Sequence, residues 1–303
     1  MAETETKRVT ALGFFDGLHR GHQAVIQQAV QKAAASGAKP CIVTFDRRPK
    51  NAVHGESAAL LIDRRTKNVL AGMLFPGVEL VELTFDHAMQ TTPPERFAQE
   101  TLIERLHAAC AVCGRNYRFG AGGAGTPSSL TRLLPTETVP DVLVDGEPIS
   151  STRIRACIES GAVAEANRML GHPHIIAGQA VHGDGRGGKL GYATLNLALP
   201  AEIVRPRPGV YVSEVLLRGR TYRSITNFGT RPTFYENGVY DCETHLFGYT
   251  GETYGEEAVL LLYEFLRPER RFPDADALVR QIASDVAAAQ NYSIPEQRKG
   301  ENL

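Results

Sequence analysis

The sequence predicts an α/β domain with a parallel, Rossmann-like sheet, followed by a small antiparallel β-barrel with a helix at its C-terminal end. Three observations carry this expectation: a strand, helix and strand compressed into residues 8–45, six strand-like segments without intervening helices between residues 175 and 265, and a helical pattern from Asp274 to Gln290. At 303 residues the chain exceeds one ordinary core, and domains of about 100–200 residues make two the natural count.

In the first part, residues 8–14 are β-prone, and apolar residues then recur at Ala24, Val25, Ile26, Ala29, Val30, Ala33 and Ala34. That spacing covers one face of a helix. Gly37 suits the position just past the helix end, and Cys41 to Phe45 reads as the next strand. A right-handed crossover makes the two strands parallel. The pattern continues with a strand at Val78–Leu83, a helix over Pro94–Ala109, a strand end at Ala111–Gly114 and a further strand at Val142–Val144. In such a sheet a site is expected at the carboxyl ends of the strands.

From Ser151 the pattern changes to two short helices, Thr152–Glu159 and Ala162–Leu170, closed by Gly171 and Pro173. They serve as a linker, giving expected domains at 1–172 and 173–303. Beyond them Ile175–Val181, Leu195–Leu199, Val210–Leu217, Tyr222–Asn227, Val239–Phe247 and Ala258–Phe265 read as strands separated by Gly, Pro or Asn turns. Six consecutive strands predict a small antiparallel barrel. The last helix carries an apolar stripe at Leu278, Ile282 and Val286 to pack against it.

Composition narrows the function classes. The 33 Lys and Arg nearly cancel 34 Asp and Glu, so no broad basic surface points to nucleic acid or an anionic membrane. Short basic clusters do stand out, at Arg47, Arg48 and Lys50, at Arg64 and Arg65, and at Arg267, Arg270 and Arg271. Each suits a phosphate as well as a solvated surface. Met1 to Lys7 lacks the basic and apolar regions of a secretory signal, and the longest apolar stretch, Ala258 to Tyr263, is too short to span a bilayer, so a cytoplasmic location is expected. Five cysteines do not make a disulfide framework. Cys110 and Cys113 spell CxxC but lack a second close pair, so they read as small buried hydrophobes.

The first chemical constellation is Gly13, Phe15, Asp16, Gly17, His19, Gly21 and His22, at the handover from first strand to first helix. The free N–H groups of a helix start meet phosphate there, and two imidazoles across Gly21 can hold a phosphoryl oxygen as charge develops. This HxGH spacing resembles the nucleotidyltransferase superfamily of that name. Within it, the array is similar to the first motif of the prokaryotic bifunctional riboflavin kinase/FMN adenylyltransferases. Gly114-Arg-Asn116-Tyr117-Arg-Phe119-Gly120 and Ile149-Ser150-Ser151-Thr152-Arg153-Ile154-Arg155 resemble later motifs in the right order.

The resemblance implies catalytic roles for His19 and His22, and ATP contacts from Gly13, Phe15, Asp16, Gly17, Asn116, Ser151, Thr152 and Arg155. Read without the family, Ser150 to Thr152 form a helix N-cap with Arg155 one turn inside. The implied reaction joins the FMN phosphate to the α-phosphorus of ATP. One departure stands at Arg48, where the family has a histidine; arginine binds phosphate but cannot trade protons.

The second constellation begins at Gly183 and Gly185. Gly183 to Gly188 satisfies GxGxxG, yet the residues after it read as loop and strand rather than helix, so the dinucleotide reading fails its context. A glycine loop can instead wrap phosphates with backbone N–H groups. The segment through Gly191, Thr194 and Asn196 resembles the riboflavin kinase loop, which implies that Thr194 and Asn196 bind Mg2+ and nucleotide phosphates. Glu243, on its own a residue of a strand's wet face, matches the family's catalytic base. Gly188, Ala193 and Gly248 depart from the pattern.

The resemblance therefore implies a kinase and adenylyltransferase using ATP, riboflavin and FMN, with Mg2+ as cofactor and no nucleic-acid or membrane partner. A homo-oligomer is compatible with the sequence. Three alternatives stay open at this stage: adenylyltransferase activity alone beside a degenerate barrel, a non-catalytic flavin sensor, and AMP transfer to another acceptor.

Overall fold

The computed structural model describes residues 6–48, 58–182, 194–231 and 239–295. The chain divides into two compact units, one formed by Met1–Ala58 with Leu70–Ile149 and the other by Ala59–Val69 with Ser150–Leu303.

The first unit opens with β1 (Arg8–Leu12), a 3-10 turn at Asp16–Leu18, α1 (Arg20–Ser36) and β2 (Lys39–Phe45). After α2 (Arg64–Leu74), shared between the units, come β3 (Glu79–Leu83), α3 (His87–Thr91), α4 (Pro94–Arg96) running into a π-helical segment at Phe97–Arg105, and β4 (Ala108–Gly114). A short α5 (Pro127–Leu130), β5 (Thr136–Val139) and a small hairpin of β6 (Leu143–Val144) and β7 (Glu147–Pro148) complete it. The main sheet has the order β3-β2-β1-β4-β5 and is parallel throughout.

β1 lies at the centre because it is apolar on both faces: Val9, Ala11 and Leu12 are all buried. Thr10, equally buried, donates its hydroxyl to the Cys110 carbonyl at 3.2 Å, so no polar group is stranded. Connections leave β1 toward β2 on one side and return through β4 on the other. The switch in strand order therefore falls at the carboxyl end of β1.

Three local expectations are corrected here. The helix expected through Ala109 ends at Arg105, where the Leu106 N–H bonds back to the Thr101 carbonyl in a wide turn and Ala108 already starts β4. The strand expected at Val142–Val144 belongs to the hairpin, turned by the left-handed residues Asp145 and Gly146. The fifth strand of the sheet is instead Thr136–Val139, a short edge strand only half buried, whose polar alternation gives little signal. α2 was not expected either.

The second unit opens with α6 (Ser151–Ser160) and α7 (Val163–Leu170), followed by β8 (His174–Val181), β9 (Thr194–Leu197), β10 (Gly209–Leu217), β11 (Arg220–Arg231), β12 (Val239–Leu246), β13 (Glu257–Arg267) and α8 (Ala275–Asn291). The strands close into an antiparallel barrel, β10-β11-β12-β9-β8-β13, with β13 pairing back onto β10. Alternate residues point inward: Tyr211, Val215, Phe228, Cys242, Leu195, Leu260 and Leu262 share one buried cluster. A chain of buried hydroxyls, Ser224 to Ser213 to Thr226 to Thr244, crosses that interior with 2.8 Å links. Each hydroxyl can donate once and accept, so the three links satisfy three of the four O–H donors within the row itself.

The outer barrel residues Val210, Val212, Ile225, Leu261 and Tyr263 receive α8 through Ile282, Val286 and Ala289. Arg223 fastens the end of that helix by donating to the Ala289 and Tyr292 carbonyls at 2.7 and 2.6 Å. α6 and α7, read from sequence as a linker ahead of the barrel, pack with it. Val163 enters the barrel cluster, and the Asn167 amide donates to the Leu262 carbonyl at 2.8 Å while accepting the His174 N–H at 2.7 Å. The expected division at 172/173 set these helices with the first domain; by packing, they go with the second unit.

Candidate active sites

The loop after β1 is held in an unusual shape. Phe15, Leu18 and Gly17 all have positive φ, of 56°, 43° and 78°, and Phe15, Asp16, Gly17 and Leu18 are buried. Two non-glycine residues in the left-handed region store strain that the surrounding packing must hold. Gly13 makes room for this turn, since a Cβ there would lie 2.8 Å from the Phe15 ring. Gln23 reaches back from α1 to donate to the Leu18 carbonyl at 2.8 Å.

The turn delivers two imidazoles to one point. His19 is the N-cap of α1, its Nδ1 accepting the His22 N–H at 3.4 Å. The two rings stack with centroids 3.5 Å apart and planes 19° from parallel, and Phe15 meets His22 edge-on at 5.4 Å. With Nδ1 as the acceptor, a neutral His19 ring carries its proton on Nε2. Asn116 lies exposed in the turn after β4, the neighbour of β1 on the same carboxyl edge.

Ser151, Thr152 and Arg155 stand in the second unit, on α6. The cap expected there is present: the Ser150 hydroxyl accepts the Arg153 N–H at 3.2 Å. Arg155 is buried and its Nε donates to the Ala59 carbonyl at 2.7 Å.

On the barrel, strand register gathers a second set of groups. Asn227 of β11 is directly opposite Glu243 of β12, Glu243 is opposite Asn196 of β9, and His245 is opposite Thr194. Their neighbours Phe228, Cys242 and Leu195 point into the barrel, so Asn227, Glu243, Asn196 and Thr194 share the outer face. Asn227 donates to the Glu269 carboxylate at 3.3 Å, and that carboxylate occupies the space a Cβ of Gly229 would need. Gly183, Gly185 and Gly191 lie outside the described residues. Asn227 and Glu269 are the additions that sequence reasoning gave no role; period-two alternation puts Asn227 on the polar face, but register alone sets it beside Glu243.

A family model described as FAD synthetase matches residues 1–153, and one described as riboflavin kinase matches residues 170–293. Bifunctional riboflavin kinase/FMN adenylyltransferases of Listeria monocytogenes and Bacillus subtilis are each 31% identical, over 93% and 96% of this chain and 91% and 94% of their own. The chain belongs to the bifunctional riboflavin kinase/FMN adenylyltransferase family. The Escherichia coli K12 member is 30% identical over 94% of this chain and 92% of its own. A solved structure described as a macrolide-efflux protein of Streptococcus pneumoniae superposes with a TM-score of 0.84 at 31% identity, covering 96% of each chain. Among the described residues, no helix is long and apolar enough to cross a membrane.

Within this family frame the adenylyltransferase match contains the stacked histidines, and the kinase match contains the Asn227–Glu243–Asn196 row. The cysteines stay outside both sets. All five are free, and burial pushes the Cys41 thiol up to about 12 and Cys113 up to about 11, far from a reactive thiolate. Among the described residues no group of three or more His, Cys, Asp or Glu forms a metal cluster. A Mg2+ ion needs no such cluster, because it is commonly held by one or two protein oxygens together with water and phosphates. Thr194 and Asn196, two oxygen donors on one barrel face beside the Glu243 carboxylate, fit that description.

Proposed function

We propose that the chain phosphorylates riboflavin to FMN on its barrel and adenylylates FMN to FAD on its α/β unit, using one ATP in each step. The observation that carries this reading is the pair of stacked imidazoles at the switch point of a parallel sheet, joined in one chain to a barrel face presenting Glu243.

In the adenylylation, an FMN phosphate oxygen attacks the α-phosphorus of ATP, the bond to the bridging oxygen breaks, and pyrophosphate leaves. The work of the protein is positioning and charge stabilisation. His19, fixed as an N-cap, and His22, clamped between His19 and Phe15, offer donors at the α1 start, where helix N–H groups also favour phosphate. Asn116 approaches from the neighbouring strand end. Gly13, Asp16 and Gly17 shape the loop, and the family resemblance assigns further nucleotide contacts to Ser151, Thr152 and Arg155 of the second unit.

In the phosphorylation, the riboflavin 5′-hydroxyl oxygen attacks the γ-phosphorus, the bond to the β-phosphate bridging oxygen breaks, and ADP leaves. Glu243 accepts the hydroxyl proton as that oxygen becomes nucleophilic. Thr194 and Asn196 would hold Mg2+, which when bound neutralises phosphate charge, while Gly183, Gly185 and Gly191 would wrap the phosphates with backbone N–H groups. A cytoplasmic setting, where ATP is at hand, belongs to the same proposal.

Of the departures from the family pattern, Gly248 has a structural reading. Its φ is +69° with open space around it, a left-handed position that suits glycine at the end of β12. The substitution therefore preserves the turn. The test is to incubate the protein with riboflavin, ATP and magnesium, and in parallel with FMN, and to separate the flavins. FAD from both is expected. FAD from FMN alone would reduce the barrel to a flavin-binding module, and no product from either would overturn the proposal.

A further inference from the structure

The arginines following β13 lie within the residues matched to riboflavin kinase, and the proposal above gives them no role. Arg270, Arg271 and Arg280 line a pocket of about 400 Å3 on the second unit, together with Phe272, Pro273 and Gln281, and among the described residues no lining residue is acidic. The carboxylates nearest in sequence are engaged elsewhere or lie outside the lining. Glu269 accepts from Asn227 at 3.3 Å, Asp274 caps α8 by accepting the Ala277 N–H at 2.7 Å, and Asp276 is not among the lining residues. Three like charges kept close without a counter-charge repel one another, and an anion between them relieves that repulsion.

One of these exposed arginines is also held in place. Asp285, buried on α8, receives three bonds from Arg267 at 2.7–3.1 Å, and Gln281 donates to the same carboxylate at 2.6 Å. Arg267 in turn stands 5.9 Å from the Phe272 ring centroid, and Arg270 lies over that ring at 5.0 Å. The order Asp285, Arg267, Phe272, Arg270 thus positions one guanidinium of the pocket through cation–π contacts, and α8 supplies another at Arg280.

We infer that Arg270, Arg271 and Arg280 form an anion site for a condensed phosphate, either pyrophosphate or the phosphate tail of a nucleotide. Planar guanidinium forks pair with phosphate oxygens two at a time, and three of them around one cavity match a multiply charged, many-oxygen ligand better than a single carboxylate. The inference rests on these side chains and not on the activities proposed above, so either can fail alone.

The experiment is arginine modification of the full chain by phenylglyoxal, mapped by peptide mass spectrometry, with and without pyrophosphate at matched ionic strength. Arg96, exposed and paired with Glu100, is the internal control. Pyrophosphate is expected to slow modification of Arg271 and Arg280 severalfold and leave Arg96 unchanged, and a non-hydrolysable ATP analogue in a second arm assigns the source. Protection by both ligands indicates recognition of the shared phosphates; protection by the analogue alone assigns the site to nucleotide. A second measurement is calorimetry, in which Arg271→Gln/Arg280→Gln is expected to bind one fewer pyrophosphate than the unmodified chain. Equal modification rates in all arms, or an unchanged stoichiometry, would overturn the site.

Discussion

The His19 and His22 rings are stacked 3.5 Å apart across Gly21, and a Cβ on that glycine would come within 3.2 Å of the His19 ring. Gly21 therefore sets how closely the two imidazoles can approach. Gly21→Ala should displace His19 by a few tenths of an ångström while improving the intrinsic helix preference of the first turn by up to about 1 kcal/mol. The expected outcome is a fall in FAD formation from FMN on the order of tenfold to a hundredfold, with no loss of melting temperature and unchanged FMN formation from riboflavin. Steady-state assays of each half reaction check it.

Glu243→Gln keeps the size and polarity of the side chain and removes the carboxylate proposed as the base. Riboflavin phosphorylation should drop by about 10²–10⁴-fold, while conversion of added FMN to FAD continues at the normal rate. Equal loss of both half reactions would contradict the assignment of Glu243 to the kinase step.

Asn167 joins α7 to the barrel through two half-buried bonds, to Leu262 and to His174. Asn167→Ala leaves a carbonyl and an N–H without partners and should cost about 1–3 kcal/mol. Urea titration should show a lower midpoint for the barrel transition.

Acid should weaken the barrel through His174. This imidazole is buried at the start of β8, and desolvation, with His172 nearby as a second cause, pushes it down to about 3. The folded form therefore binds its proton later than the unfolded form, whose pKa is about 6.5. Stability from keeping this ring neutral is fully present above about 6.5 and is lost as pH falls toward 3. Melting curves across that window should show a shallower decline in His174→Leu than in the unmodified chain.

Much of the architecture was legible in the sequence because burial imposes period. The 3.6-residue rhythm of α1 and the two-residue alternation of β10 through β13 follow from which residues must face a core, and Gly37, with φ of 67°, ends α1 as its position implied. The signal failed where that constraint weakens. β5 is a half-buried edge strand with little alternation to read, and the π-helical turn into Leu106 cuts short a helix whose periodicity runs on in the sequence.

The candidate sites divide the same way. The spacing of His19 and His22, the cap at Ser150 and the oxygen donors Thr194 and Asn196 were visible as residues, and their order along the chain carried the family resemblance. By itself the sequence thus determined two units, the period of most elements and the set of chemical groups at hand. Only the tertiary structure decided that the imidazoles stack, that α6 and α7 pack with the barrel, and that Asn227, Glu243 and Asn196 lie in one row. Those outcomes depend on strand register and on the left-handed turn at Phe15 to Leu18. Both are set by contacts between residues far apart in the chain, which local propensity does not encode.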